Sequence, residues 1–173
     1  MKIVLVGYMG SGKSSVGKKL AEALGLPFKD IDTEIEKNEG VSVPELFSEK
    51  GEIYFRKTEN STLIKLLQRP DSFILATGGG TPCYGNSMEA ILNAKDTVSV
   101  YLKVSIHELA SRLFAQRAQR PLLAHINTQA ELNDFIRKHL FERTHCYSQA
   151  NNTIDASSET IGEIVEKIVL QLF

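Results

Sequence analysis

Short runs of β-branched and aromatic residues recur along the chain, each followed by a longer stretch in which apolar positions return every three or four residues. That alternation predicts βαβ units and a parallel sheet covered by helices on both faces. The strands are expected at Lys2 to Val6, Phe28 to Asp30, Phe73 to Ala76, Thr97 to Leu102 and Thr153 to Asp155. Helix starts are marked by capping-box spacings, Ser42 with Glu45, Ser105 with Glu108 and Thr128 with Glu131, and Pro44 falls inside the first of these turns. Ile106, Leu109, Ala110, Leu113 and Phe114 form one apolar stripe, and Ile161, Ile164, Val165, Ile168 and Leu172 another. Both stripes read as core. No repeat, low-complexity tract or linker divides the chain, so one domain over residues 1–173 is expected. Its fold class is α/β, a three-layer α/β/α sandwich around a roughly five-stranded parallel sheet. The polar stretch from Ala115 to Arg120, with Pro121 and Leu122-Leu123-Ala124 after it, interrupts the alternation. It reads as a mobile lid over about 112–124, or as an ordinary helix-to-helix loop.

Composition narrows the picture. Of 173 residues, 42% are hydrophobic and 24% charged, the balance of a soluble globular domain rather than a disordered one. The formal net charge of -1 provides no general basic field for nucleic acid or an anionic membrane. Any affinity for anions must come from a local site. The first apolar run, Ile3-Val4-Leu5-Val6, is too short for a signal-peptide core, so a cytoplasmic monomer is expected, with neither nucleic acid nor membrane as partner. Cys83 and Cys146 lie far apart in the sequence, form no Cys-x-x-Cys pair and are expected as free thiols that pack.

Gly7-Tyr8-Met9-Gly10-Ser11-Gly12-Lys13-Ser14 fits G-x-x-x-x-G-K-[ST] and lies directly between an apolar strand and a helix, where a phosphate-cradling P-loop belongs. Glycines let the backbone N–H groups turn inward, and the helix N-terminus adds partial positive charge. Gly10, Ser11, Gly12, Lys13, Ser14 and Ser15 are therefore the expected ATP-phosphate contacts. Lys13 would reach the β- and γ-phosphates, and the Ser14 hydroxyl would bind Mg²⁺. No Asn-Lys-x-Asp segment is present, which counts against a GTPase. The strand Phe73 to Ala76 ends in Thr77-Gly78-Gly79-Gly80 and lacks the metal-binding Asp that many P-loop enzymes carry there. Asp30 and Asp32, alternate residues at the end of the second strand, are expected to face the phosphates together. Asp30 then serves the water shell of Mg²⁺, while Asp32 accepts the hydrogen of an acceptor hydroxyl as general base, or simply caps the next helix. Arg56 and Arg143 suit a planar carboxylate, and Gly78, Gly79 and Gly80 would let a small polar ligand approach bare backbone.

In this order, the P-loop, Phe28-x-Asp30-x-Asp32, Gly51-Glu52 with Phe55-Arg56, Thr77-Gly78-Gly79-Gly80, Arg120-Pro121-Leu122-Leu123, and Arg143 with Tyr147, the chain resembles the shikimate kinases over nearly its whole length. The resemblance implies a P-loop NTPase fold and phosphorylation of the 3-hydroxyl of shikimate by ATP with Mg²⁺. It implies a shikimate-binding region of about 31–60, Asp32 on substrate hydroxyls and Arg56 with Arg143 on the carboxylate. Glycines 78–80 would line the pocket, and Arg120 would swing over the transferring phosphoryl group from the lid. Thr81-Pro82-Cys83 departs from the family pattern, which frequently has a simpler apolar residue after the glycines, and His145-Cys146 is expected to pack. Arg112 and the Asn152-Thr153 region are the expected adenine contacts. A different metabolite kinase, acting on gluconate or a nucleoside monophosphate, and a non-catalytic nucleotide-binding module remain the rival readings.

Overall fold

The structure, a computed structural model, describes residues 1–120 and 122–173. Among them, five strands form one parallel sheet: β1 (Lys2–Val6), β2 (Phe28–Asp30), β3 (Phe73–Ala76), β4 (Thr97–Lys103) and β5 (Asn152–Asp155). Their order across the sheet is β2-β3-β1-β4-β5. The expected strands are found, with β4 and β5 each one residue longer. β1 and β3 are buried along their whole length, which is why they read as nearly continuous apolar runs. Between them stand α1 (Lys13–Leu24), α2 (Ile31–Glu39), α3 (Val43–Leu67), α4 (Ser87–Asn93), α5 (Ile106–Phe114), α6 (Gln129–Tyr147) and α7 (Ile161–Leu172). The chain leaves β1 toward one edge and leaves β3 toward the other. Right-handed crossovers in opposite directions put α1 and α4 on opposite faces of the sheet. α1 packs on β3 and α7, and α4 on β4 and α3.

Local sequence explains the helix boundaries. Ser42 with Glu45 and Thr128 with Glu131 form reciprocal capping boxes as expected. Ser105 caps α5 through Glu108 N–H, but the Glu108 carboxylate turns to Arg112 instead of closing the box. A further box, Thr160 with Glu163, opens α7. Leu109, Ala110 and Leu113 of α5, and Ile164, Val165 and Ile168 of α7, are buried. Ile161, expected in that second stripe, is 44% exposed because it is the first residue of α7 and precedes the packed turns. α3 is kinked at Gly51, whose φ of 79° only glycine adopts without strain, and the second half of the helix carries Arg56.

Between α5 and α6 the chain makes a short 3-10 turn at Arg117–Gln119. Arg117 Nη1 donates to the Phe114 carbonyl at 2.7 Å, and Leu123 and Ile126 are buried. After Arg120 the expected lid is thus anchored in the core by Leu123 and Ile126. Pro121, part of that expected range, lies outside the described residues. No helix among the described residues is long and apolar enough to cross a membrane.

Candidate active site

The site is built where the carboxyl ends of β1, β2 and β3 meet, the side on which a parallel sheet offers its loops to ligands. The loop after β1 leads into α1 through Gly12, whose φ is 91°. Lys13 Nζ is buried and donates to the carbonyls of Gly7 at 2.8 Å and Tyr8 at 2.9 Å. Burial pulls this ammonium down to about 8, against the opposing pull of Asp30 and Asp32; the cations Arg120 and Arg143 push in the same direction as burial. Lys13, both aspartates and these two arginines, far apart in the sequence, therefore share one electrostatic neighbourhood. Gly10, Ser11, Gly12, Ser14 and Ser15 line the same turn, and the Gly10 carbonyl accepts from Arg112 Nη1 at 3.3 Å.

The two aspartates reach the site differently from the strand alternation expected of them. β2 ends at Asp30, and its carboxylate accepts the Asp32 N–H at 3.1 Å, so Asp30 is the N-cap of α2. Asp32 stands in the first helical turn. The capping role weighed for Asp32 thus belongs to Asp30, which leaves the Asp32 carboxyl free of it. That carboxyl is pushed up to about 6 by burial and by the neighbouring charges of Asp30, Glu59 and Glu36. Ser14 Oγ donates to Asp30 Oδ2 at 2.7 Å. A hydroxyl and a carboxylate oxygen at the start of α1 are hard donors of the kind Mg²⁺ takes, with waters and phosphates completing its shell. The residues present fit that ion.

Beside Asp32, the loop after β3 brings Gly78, Gly79 and Gly80. A methyl group on Gly78 would stand 2.9 Å from Glu59 Oε1 and 3.9 Å from Asp32 Oδ1. On Gly80 it would stand 2.7 Å from Arg56 Nη2, so the guanidinium lies directly against bare backbone. Arg56 Nη1 donates to Glu59 Oε2 at 2.7 Å, and Thr81 Oγ1 donates to the other Glu59 oxygen at 2.6 Å. Glu59 is 2% exposed and orients Arg56. The sequence reading missed it, although Arg56-x-x-Glu59 is a helical i,i+3 pairing and was the available signal. Thr77, in place of the metal-binding Asp, donates its hydroxyl to the Leu5 carbonyl and ties β3 to β1.

α6 closes the far side. Tyr147 donates to the Gly79 carbonyl, and Tyr8 of the P-loop is hydrogen-bonded to His139 Nδ1 at 3.0 Å. These bonds set the helix that carries Arg143, whose guanidinium lies 6.0 Å from the Tyr8 ring centre. Among the described residues Arg143 has no ion-pair partner, whereas Arg56 has Glu59. Arg120 donates to Gln116 Oε1 at 3.1 Å. Cys83 and Cys146, remote in sequence, are neighbours here. Burial first, then the Cys146 thiol, pushes the Cys83 thiol up to about 12, in keeping with a packing role. Arg112 also reaches the carbonyls of Ala156 and Ser157 beyond β5. Asn152 and Thr153, the other expected adenine contacts, begin β5 and are paired there with Val100 and Tyr101.

Comparison with known proteins agrees with this geometry. A family model described as shikimate kinase matches residues 9–173. The shikimate kinase of Flavobacterium johnsoniae is 44% identical over 168 residues, covering 97% of this chain and 96% of the relative. The crystal structure of shikimate kinase from Bacteroides thetaiotaomicron superposes with a TM-score of 0.89 at 35% identity, covering 99% and 98% of the two chains. That of the Acinetobacter baumannii shikimate kinase in complex with shikimate gives 0.86 at 34%, covering 99% and 92%. The ordered motifs, the P-loop sheet and these full-length matches lead to one conclusion, that the chain belongs to the shikimate kinase family, ATP-dependent phosphotransferases with an alcohol acceptor.

Proposed function

We propose that the chain transfers the γ-phosphoryl group of ATP to the 3-hydroxyl of shikimate, with Lys13, Asp32 and Arg120 as catalytic residues. The substrate seat is formed by Asp32, Arg56, Arg143 and the backbone at Gly78, Gly79 and Gly80. A single observation carries this reading: a buried ammonium, a carboxyl lifted to about 6 and a carboxylate-seeking guanidinium converge around one glycine loop. That combination favours a polyol bearing one carboxylate over a nucleotide acceptor; gluconate is also such a polyol, and membership of the shikimate kinase family is what favours shikimate over it.

The chemistry follows from charge. P-loop N–H groups and Lys13 hold the phosphates, and Lys13 offers its proton-rich head to the oxygens that gain charge as the phosphoryl group departs. Asp32 accepts the hydrogen of the attacking hydroxyl, and its raised affinity for protons makes it a better base than an ordinary aspartate. Arg56 and Arg143 orient the ring from its carboxylate. Arg120 comes over the transferring group as the lid segment closes, and closure excludes water as a competing acceptor. Ser14 would hold Mg²⁺ directly and Asp30 through a water, and the bound ion would neutralise phosphate charge.

The test is ADP release with ATP and Mg²⁺ against shikimate, quinate, gluconate and AMP. Shikimate should be turned over with the highest kcat/KM. Arg56→Ala and Arg143→Ala should each weaken shikimate use by about 2 to 5 kcal/mol while the KM for ATP changes little. Faster turnover of gluconate or AMP, or full shikimate efficiency in both variants, would contradict the assignment.

A further inference from the structure

The side chains of the turn after the glycine loop converge on Arg56. Thr81 holds Glu59, which holds Arg56 Nη1. Two residues beyond Pro82, the Tyr84 ring lies over the guanidinium, with Arg56 Cζ 4.2 Å from the ring centre. The Tyr84 hydroxyl donates to Glu52 Oε1 at 3.1 Å, anchoring the ring to α3 one helical turn before Arg56. The guanidinium thus lies against Gly80 and is overlain by the Tyr84 ring. Outside them is an open hollow of about 460 Å³, lined in part by Glu52, Ile53, Lys57 and Tyr84. Arg56 is only 17% exposed beside this hollow, and Tyr84 itself is 38% exposed.

We propose that Tyr84 is a positioning residue for the acceptor's carboxylate: its ring covers Arg56 from the solvent side and holds the guanidinium against Gly80, ready for a planar anion. The inference rests on the functional reading above and deepens it. Two physical effects act together. The ring's negative face attracts the cation and restricts its plane. Covering the cation also lowers the local dielectric and screens it from salt, so its attraction for a carboxylate is stronger than at an open surface. The Tyr84 side chain engages Arg56 and Glu52, neither of them part of the P-loop, so its influence belongs in acceptor binding. The phenol's hydrogen bond to Glu52 keeps the ring in place, but the cover itself is the aromatic face.

The experiment compares wild type, Tyr84→Ala and Tyr84→Phe in ADP release with ATP and Mg²⁺, varying shikimate at low and high salt. Tyr84→Ala should raise the KM for shikimate about 3- to 30-fold, the range of one cation–π contact, with kcat and the KM for ATP within about twofold. It should also make that KM more sensitive to salt. Tyr84→Phe retains the ring and should recover most of the loss. A wild-type chain inactive on shikimate would overturn the functional reading and this inference with it. An active wild type whose Tyr84→Ala variant keeps its shikimate KM and salt response, even with a lowered melting temperature, would overturn the inference alone. Failure of Tyr84→Phe to recover would also overturn it, because the ring would then not be the effective part.

Discussion

Asp32 illustrates how a residue's environment sets its chemistry. Burial and three nearby carboxylates lift it to about 6, whereas burial draws Lys13 down to about 8. A base must be ionised and a phosphate-binding ammonium must be charged, so kcat/KM for shikimate should fall below about pH 6 and again above about pH 8. A pH–rate profile of the free enzyme checks both limbs. Asp32→Asn should lower turnover by a factor of about 10² to 10⁴ and abolish the acidic limb. The same carboxyl affects stability. Its folded value exceeds its ordinary 3.8, so the stabilisation it contributes is complete below that value and is lost as pH rises through about 6. At neutral pH the ionised group destabilises the fold by on the order of 3 kcal/mol. Asp32→Asn should therefore melt several degrees higher at pH 7.5, by thermal unfolding, with the gain shrinking toward pH 4. An unchanged melting point and an unchanged rate would reduce Asp32 to an ordinary surface acid. The type and position of this residue were legible in the sequence. Its shift was not, because the burial that dominates it and the Glu59 charge arise only through the fold, although Glu36 lies one turn along the same helix.

At the scale of elements, strands were read to within a residue because buried parallel strands must be apolar on both faces. Helix starts were legible where Ser or Thr faced a Glu three residues on. The Asp30 cap was misplaced by two residues because a carboxylate at a strand end serves a cap and a ligand site alike, and only the observed turn into α2 decides. Glycines in the loop after β3 were recognised, but not what stands against them. Gly80→Ala would place a methyl group 2.7 Å from the far end of Arg56, a flexible group that can move aside. The fold should survive, while the displaced guanidinium raises the KM for shikimate by about tenfold, equivalent to roughly 1.4 kcal/mol. Steady-state kinetics with each substrate varied separately tests this, and an equal rise in the KM for ATP would point to a disturbed P-loop instead.

On the scale of the whole molecule, the order β2-β3-β1-β4-β5 brings the loops after β1, β2 and β3 side by side, and α6 is hydrogen-bonded back onto two of them. Nucleotide gripped by this assembly stabilises the native state by mass action, about 2.7 kcal/mol at a hundredfold excess over Kd. Thermal melts with ATP and Mg²⁺ should accordingly rise by several degrees in the wild type, and the rise should disappear in Lys13→Ala, whose own melt remains cooperative and whose turnover is lost. Retained ATP stabilisation in that variant would place the nucleotide elsewhere. By itself the sequence determined the P-loop motif, the strand–helix alternation and the acidic and basic residues that the fold gathers beside the glycine loop, because turn chemistry and hydrophobic period are local properties of the chain. Only the tertiary structure decided that Thr81 braces Glu59, that Tyr84 covers Arg56 and that Cys83 meets Cys146. Those contacts join residues up to 63 positions apart, as Cys83 and Cys146 are, and a distance of that kind is set by sheet order and crossover direction, which no local pattern encodes.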